Sequence, residues 1–164
     1  MAENKADYID ELLKKGVIAF VPRGNSMWPT LKNRKQSVIV KKKSQRLKAM
    51  DVALYKRDSG TCVLHRVMKV LPNGYLMCGD SQFVIEKVAE VNVFGVMTAF
   101  YRGKRCIEVT DEDYIEYVKR LFANEKRRKF RVKMFFLRQK ILSLPKRVMR
   151  KIFKRRKNNG ENND

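Results

Sequence analysis

Ser26 lies within Gly24-Asn25-Ser26-Met27-Trp28-Pro29-Thr30-Leu31, between a conformationally permissive glycine and a proline whose φ is fixed. This setting predicts a turn that holds a hydroxyl and leaves backbone N–H groups to face a ligand. A hydroxyl presented in this way becomes a nucleophile only beside a base. Taken alone, the octapeptide is more often an ordinary surface turn, because short motifs match by chance. His65 is the only histidine in the chain. It sits beside Arg66 in a run of β-branched and aliphatic residues, where packing does not call for an imidazole. Neutral imidazole, with an ordinary pKa of about 6.5, accepts a serine proton at cellular pH. Past the Pro72-Asn73-Gly74 turn comes Gly79-Asp80, a carboxylate that a returning strand brings toward His65. A carboxylate on the second ring nitrogen would fix the tautomer and stabilise the imidazolium.

The elements that must position these residues are short. Residues 6–15 read as a helix with Tyr8 and Leu12 on one face and Gly16 as its stop. Extended runs follow at 17–21, 37–40, 51–55, 62–71, 75–78, 88–101 and 105–109, with Lys41-Lys42-Lys43 read as a solvated run. The pattern changes at Thr110, where Asp113 and the spacing of Tyr114, Val118 and Leu121 predict a helix. From Phe130 to Ile152, apolar residues recur at steps of three and four among basic ones. Pro145 should restart that helix, and residues 158–164 read as a disordered end. The fold class expected is mainly β: a small coiled β-domain over residues 1–109 with a basic helical extension over 110–157.

The net charge of +21 is concentrated in the extension. Lys119 to Lys157 carries 18 basic residues against one acid, Glu125, so the remainder is only mildly basic. Three cysteines, Cys62, Cys78 and Cys106, lack zinc or disulfide spacing and read as reduced. No cofactor or metal motif is present. The polar N-terminus does not read as a secretory leader, and no apolar run approaches the roughly 20 residues of a membrane span. A cytoplasmic location, peripheral to the inner membrane face, is the expectation.

Four boxes occur in one order: Gly24-Asn25-Ser26-Met27-x-Pro29-Thr30-Leu31, Asp51-Val52-x-Leu54-Tyr55, His65-Arg66-Val67 and Gly79-Asp80. Over residues 16–103 the chain resembles the superfamily of signal peptidase I and LexA-like peptidases. His65-Arg66 in the third box resembles the histidine-base type of archaeal and endoplasmic-reticulum signal peptidases. The resemblance implies a serine endopeptidase with Ser26 as nucleophile, His65 as general base and Asp80 as the carboxylate that supports it or holds the site. It also implies a leader or precursor peptide bound as an added strand, with small residues near the scissile bond. Three positions depart from the pattern. The histidine type carries a second aspartate beyond Gly-Asp, where this chain offers only Glu86. Gly24 replaces a serine that helps the oxyanion, leaving that role to backbone N–H groups. Met50 stands where a glycine usually precedes the second box. The anchoring N-terminal membrane helix of signal peptidases also has no counterpart in the sequence.

The basic segment 126–157 admits three partners: its own β-domain, an anionic membrane surface, or nucleic acid. Apolar residues in register favour the membrane surface. The rival to a peptidase is a non-catalytic peptide- or nucleic-acid-binding protein that works through this tail.

Overall fold

The computed structural model describes residues 7–142 apart from residue 124. The expected helix restart at Pro145 and the polar end at 158–164 lie outside them. The chain divides into two compact units, Met1–Leu121 and Phe122–Asp164.

The first unit is mainly β. It contains α1 (Asp7–Lys15), β1 (Val17–Phe20), β2 (Val38–Lys42), β3 (Val52–Lys56), β4 (Cys62–Leu71), β5 (Gly74–Cys78), β6 (Glu86–Ala89), β7 (Val93–Arg102), β8 (Arg105–Glu108) and most of α2 (Glu112–Ala123). Every strand pairing is antiparallel, in the order β1-β2-β7-β3-β4-β5-β6, with β8 also on β7. The long strands β4 and β7 organise the sheet. Residues 62–66 of β4 pair with β3 and residues 66–71 pair with β5. His65 and Arg66 therefore sit where the strand passes from one partner to the next.

Residues 52–55 of β3 are all buried, as expected for a central strand covered on both faces. In β7 fully buried and half-buried positions alternate from Val93 to Thr98, which follows the two-residue period of a pleated strand. The core gathers Leu47, Ala53, Tyr55, Val67, Tyr75 and Met77 with Val88 and Val93. Helix α1 docks Leu12 directly over Gly95: a Cβ there would lie 2.7 Å from Leu12 Cδ2 and 2.6 Å from Val40 Cγ1. The helix reaches the sheet only because that position has no side chain.

Three differences from the sequence expectation have plain causes. Strand β6 is polar (Glu86-Lys87-Val88-Ala89) and lies on the edge, so it lacks the apolar alternation that marks a strand. Strand β2 continues through Lys41 and Lys42, whose backbones pair with Val96 and Gly95 while their side chains face solvent. The boundary expected at residue 110 falls at 121, because Tyr114, Val118 and Leu121 of α2 are buried and the Tyr114 ring packs edge-on against Phe100.

Met50 has φ +76, in the left-handed region. Its N–H donates to the Val67 carbonyl at 2.8 Å and its carbonyl accepts from Arg66, so both neighbours hold this backbone conformation. A side chain in that region costs about 1–2 kcal/mol, partly offset when glycine loosens the unfolded chain. Met50 is partly exposed, so replacing it removes little packing. Met50→Gly should raise the unfolding free energy by about 1 kcal/mol, seen as a higher urea midpoint at unchanged slope.

Candidate functional site

Two side chains that are adjacent in sequence build two different structures. Arg66 is fully buried and forks onto Asp80: its Nε and one Nη each donate to a carboxylate oxygen at 2.7 Å. Its other Nη donates to the Met50 carbonyl at 2.8 Å and to the Tyr114 hydroxyl at 3.3 Å. The Thr30 hydroxyl donates to Asp80 as well. Burial works against the charge on Arg66, but Asp80 beside it outweighs burial and keeps the guanidinium protonated. The pair ties β4, the turn after β5, the end of the serine turn and α2 to one another.

The turn after β5 clamps the serine turn directly. The Ser81 N–H donates to the Ser26 carbonyl at 2.8 Å, and its hydroxyl donates to the Asn25 and Ser26 carbonyls at 2.7 and 3.0 Å. A Cβ at Gly79 would lie 2.6 Å from the Ser26 carbonyl oxygen, so this approach requires glycine. Within the serine turn, Gly24 has φ +104 and donates its N–H to Asn33 Oδ1 at 2.9 Å. Trp28 N–H donates to the Asn25 carbonyl at 3.0 Å, and Leu31 N–H donates to the Met27 carbonyl at 2.9 Å. Met27 and Leu31 are buried and anchor the turn, while Ser26 is half-buried. Among the described residues, neither the Ser26 nor the Met27 N–H is donated to a protein acceptor.

Ser26 and His65 line one cavity of about 240 Å³. Its apolar wall includes Phe20, Leu54 and Leu64, with Tyr8 stacked on Phe20 at 4.7 Å between ring centroids. Among the described residues the Ser26 hydroxyl is not hydrogen-bonded to His65. His65 is 2 % exposed, and its Nδ1 is held from behind. The Tyr55 hydroxyl lies 3.1 Å from Nδ1 and donates to Glu86 Oε2 at 2.9 Å. Glu86 Oε1 is 3.6 Å from the same nitrogen. Arg57 clasps Glu86 through Nε at 2.7 Å and through a second, close contact from its terminal nitrogen.

The protons of this network follow from its chemistry. Burial first, and then the hydrogen bond to Glu86, push the Tyr55 hydroxyl well above its ordinary range, so it stays protonated. That single proton goes to Glu86. The Tyr55 oxygen therefore accepts from Nδ1–H, and the lone pair of His65 is on Nε2. Burial holds the His65 imidazole below its ordinary value, against the opposite pull of Glu86. Hydrogen bonds from Arg57 keep Glu86 below the usual carboxylate range. The result is a neutral imidazole, fixed in one tautomer, with an ionised carboxylate nearby.

Of the expected residues, Ser26 and His65 line the cavity, and Glu86 lies behind His65 near its Nδ1. Asp80, expected either to support His65 or to hold the site, has its carboxylate on Arg66 and Thr30, and the carboxylate beside Nδ1 is that of Glu86. The charged Arg66 fork captures Asp80, because a bidentate buried pair is the strongest bond open to it. Tyr55 and Arg57 were not foreseen as site residues. The signal for Tyr55 is in the register: Ala53 pairs with His65, which makes Tyr55 the diagonal neighbour on the same face. Among the described residues no group of three His, Cys, Asp or Glu side chains is placed to hold a metal ion, and no helix is long and apolar enough to cross a membrane. Known protein families and curated proteins offer no match to the chain.

The two carboxylates should separate on substitution. Asp80→Ala leaves Arg66 charged and buried without its partner, and should cost about 3–5 kcal/mol in chemical denaturation. Glu86→Gln, at a partly exposed position, should leave the unfolding midpoint within the range of ordinary surface changes.

Proposed function

We propose that the protein is a serine endopeptidase of the signal peptidase type, cleaving a leader or precursor peptide through Ser26 and His65. The observation that carries this reading is the tautomer lock. The only histidine in the chain shares a cavity with Ser26 and is held at Nδ1 by Tyr55, which Glu86 orients in turn, and this leaves Nε2 as a base.

In this mechanism Nε2 takes the Ser26 hydroxyl proton as the oxygen attacks the scissile carbonyl. Free enzymes often hold nucleophile and base loosely and tighten them only with substrate. Glu86, 3.6 Å from Nδ1, stabilises the imidazolium that forms, and Tyr55 keeps the ring in orientation. The N–H groups of Ser26 and Met27 are the donors for the oxyanion, which fits Gly24 in the place of a side-chain helper. The imidazolium then protonates the leaving amine. Water, activated by the same nitrogen, hydrolyses the acyl-enzyme. Among the described residues β1 is the end strand of the sheet order, and it runs into the serine turn and suits an extended peptide.

Precursor peptides encoded beside the gene, incubated with the purified protein and followed by mass spectrometry, test the reading. Cleavage should vanish with Ser26→Ala and fall at least about 100-fold with His65→Ala. No cleavage by the wild type, or equal cleavage by the variants, returns the protein to the class of non-catalytic peptide binders. The pH profile tests the base separately. The wild-type kcat/KM should fall on the acid side with a midpoint below about 6.5, because burial disfavours the charged imidazole. Glu86→Gln removes the anion that favours imidazolium, so its acid limb should move to still lower pH.

A further inference from the structure

The second unit carries a surface that the cleavage chemistry does not use. Helix α3 (Glu125–Leu142) has eight basic residues against one acid. Its apolar residues do not form one amphipathic face. At about 100° per residue, Val132 and Phe135 fall on one side, and Val132 is buried. Phe130, Met134 and Leu137 fall on the opposite side within a narrow arc. Phe130 is 66% exposed, Leu137 is 45% exposed and Met134 is half-buried. A strip of large apolar side chains is thus presented to solvent on a helix whose buried apolar residue, Val132, lies on the other side.

The charges beside that strip are ordered. Lys126, Lys133 and Lys140 recur every seven residues along one border and are exposed. Arg127, Arg131 and Arg138 run along the other border. An apolar strip between two cationic rows matches the layering of a lipid interface. Acyl chains accept the apolar side chains, while long basic side chains bend outward to the headgroup phosphates. A phosphate-binding helix for nucleic acid needs the cations but has no use for exposed Phe130 and Leu137 between them.

We infer that α3 docks the protein onto an anionic membrane surface through the Phe130–Met134–Leu137 strip and its flanking lysine and arginine rows. The helix lies in the interface and does not cross the bilayer. This surface is independent of the Ser26 chemistry, and its test does not require cleavage.

Co-flotation of the full chain with vesicles provides that test. One set is pure phosphatidylcholine and the other contains about one quarter phosphatidylglycerol. The wild type should bind the anionic set only, and less in high salt. Phe130→Glu with Leu137→Glu should weaken binding at least about tenfold, as should Lys126→Gln with Lys133→Gln and Lys140→Gln. Unchanged denaturation midpoints will show that both variants fold. Three outcomes overturn the inference. The first is absence of wild-type binding, after which a shift of duplex DNA or RNA through the lysine row, or a dimer dissolved by Phe130→Glu with Leu137→Glu, would name the other occupant. The second is equal binding to neutral vesicles. The third is binding that survives loss of the apolar strip, which reduces the contact to adsorption of charge.

Discussion

The buried pair of Arg66 and Asp80 is the interaction on which the first unit depends. Both side chains are excluded from solvent, so neither charge is tolerable without the other. The remaining guanidinium donors reach the Met50 carbonyl and the Tyr114 hydroxyl, and Thr30 completes the carboxylate. One ion pair thereby fixes the positions of a strand, two turns and a helix that are far apart in sequence. Such pairs add little net stability over a well-packed apolar core, but loss of one partner strands the other charge in the interior. Here the pair and Thr30 hold the serine turn across from β4.

The pleat of β4 explains how chemistry and architecture share a dipeptide. Successive side chains of a strand face opposite ways. Arg66 faces the interior and takes Asp80. His65 faces the cavity and takes Tyr55 and Glu86. The two carboxylates are thus sorted by the partner each meets, and their own sequence context plays no part. Glu86 reaches the imidazole because β6 pairs with β5 in a register that sets Glu86 opposite Met77.

Most strands were legible because their residues are β-branched or aromatic and end at turns such as Asn73-Gly74. Strand β6 was not, because an edge strand needs only backbone pairing. Ser26, His65 and a carboxylate near His65 could be read from residue type and order. Which carboxylate it is could not, since that depends on Arg66 competing for Asp80 across 14 positions of sequence. Tyr55 was hidden for the same reason: its place beside His65 is a matter of register between β3 and β4. Met50 could be read as a departure, and its positive φ shows why a glycine would suit that position.

The clasp between Ser81 and the carbonyls of Asn25 and Ser26 has a consequence for how the molecule opens. Many sites sit on loops that fluctuate independently of the scaffold, so they can be lost while the fold persists. The serine turn has no such independence. Its carbonyls are bonded to the residue next to Asp80, and Gly79 leaves no gap through which the two backbones can slide. Thr30, at the end of the same turn, also donates to the Asp80 carboxylate. The serine turn is therefore bonded at both ends to the segment that neutralises Arg66, which couples its motion to that of the scaffold.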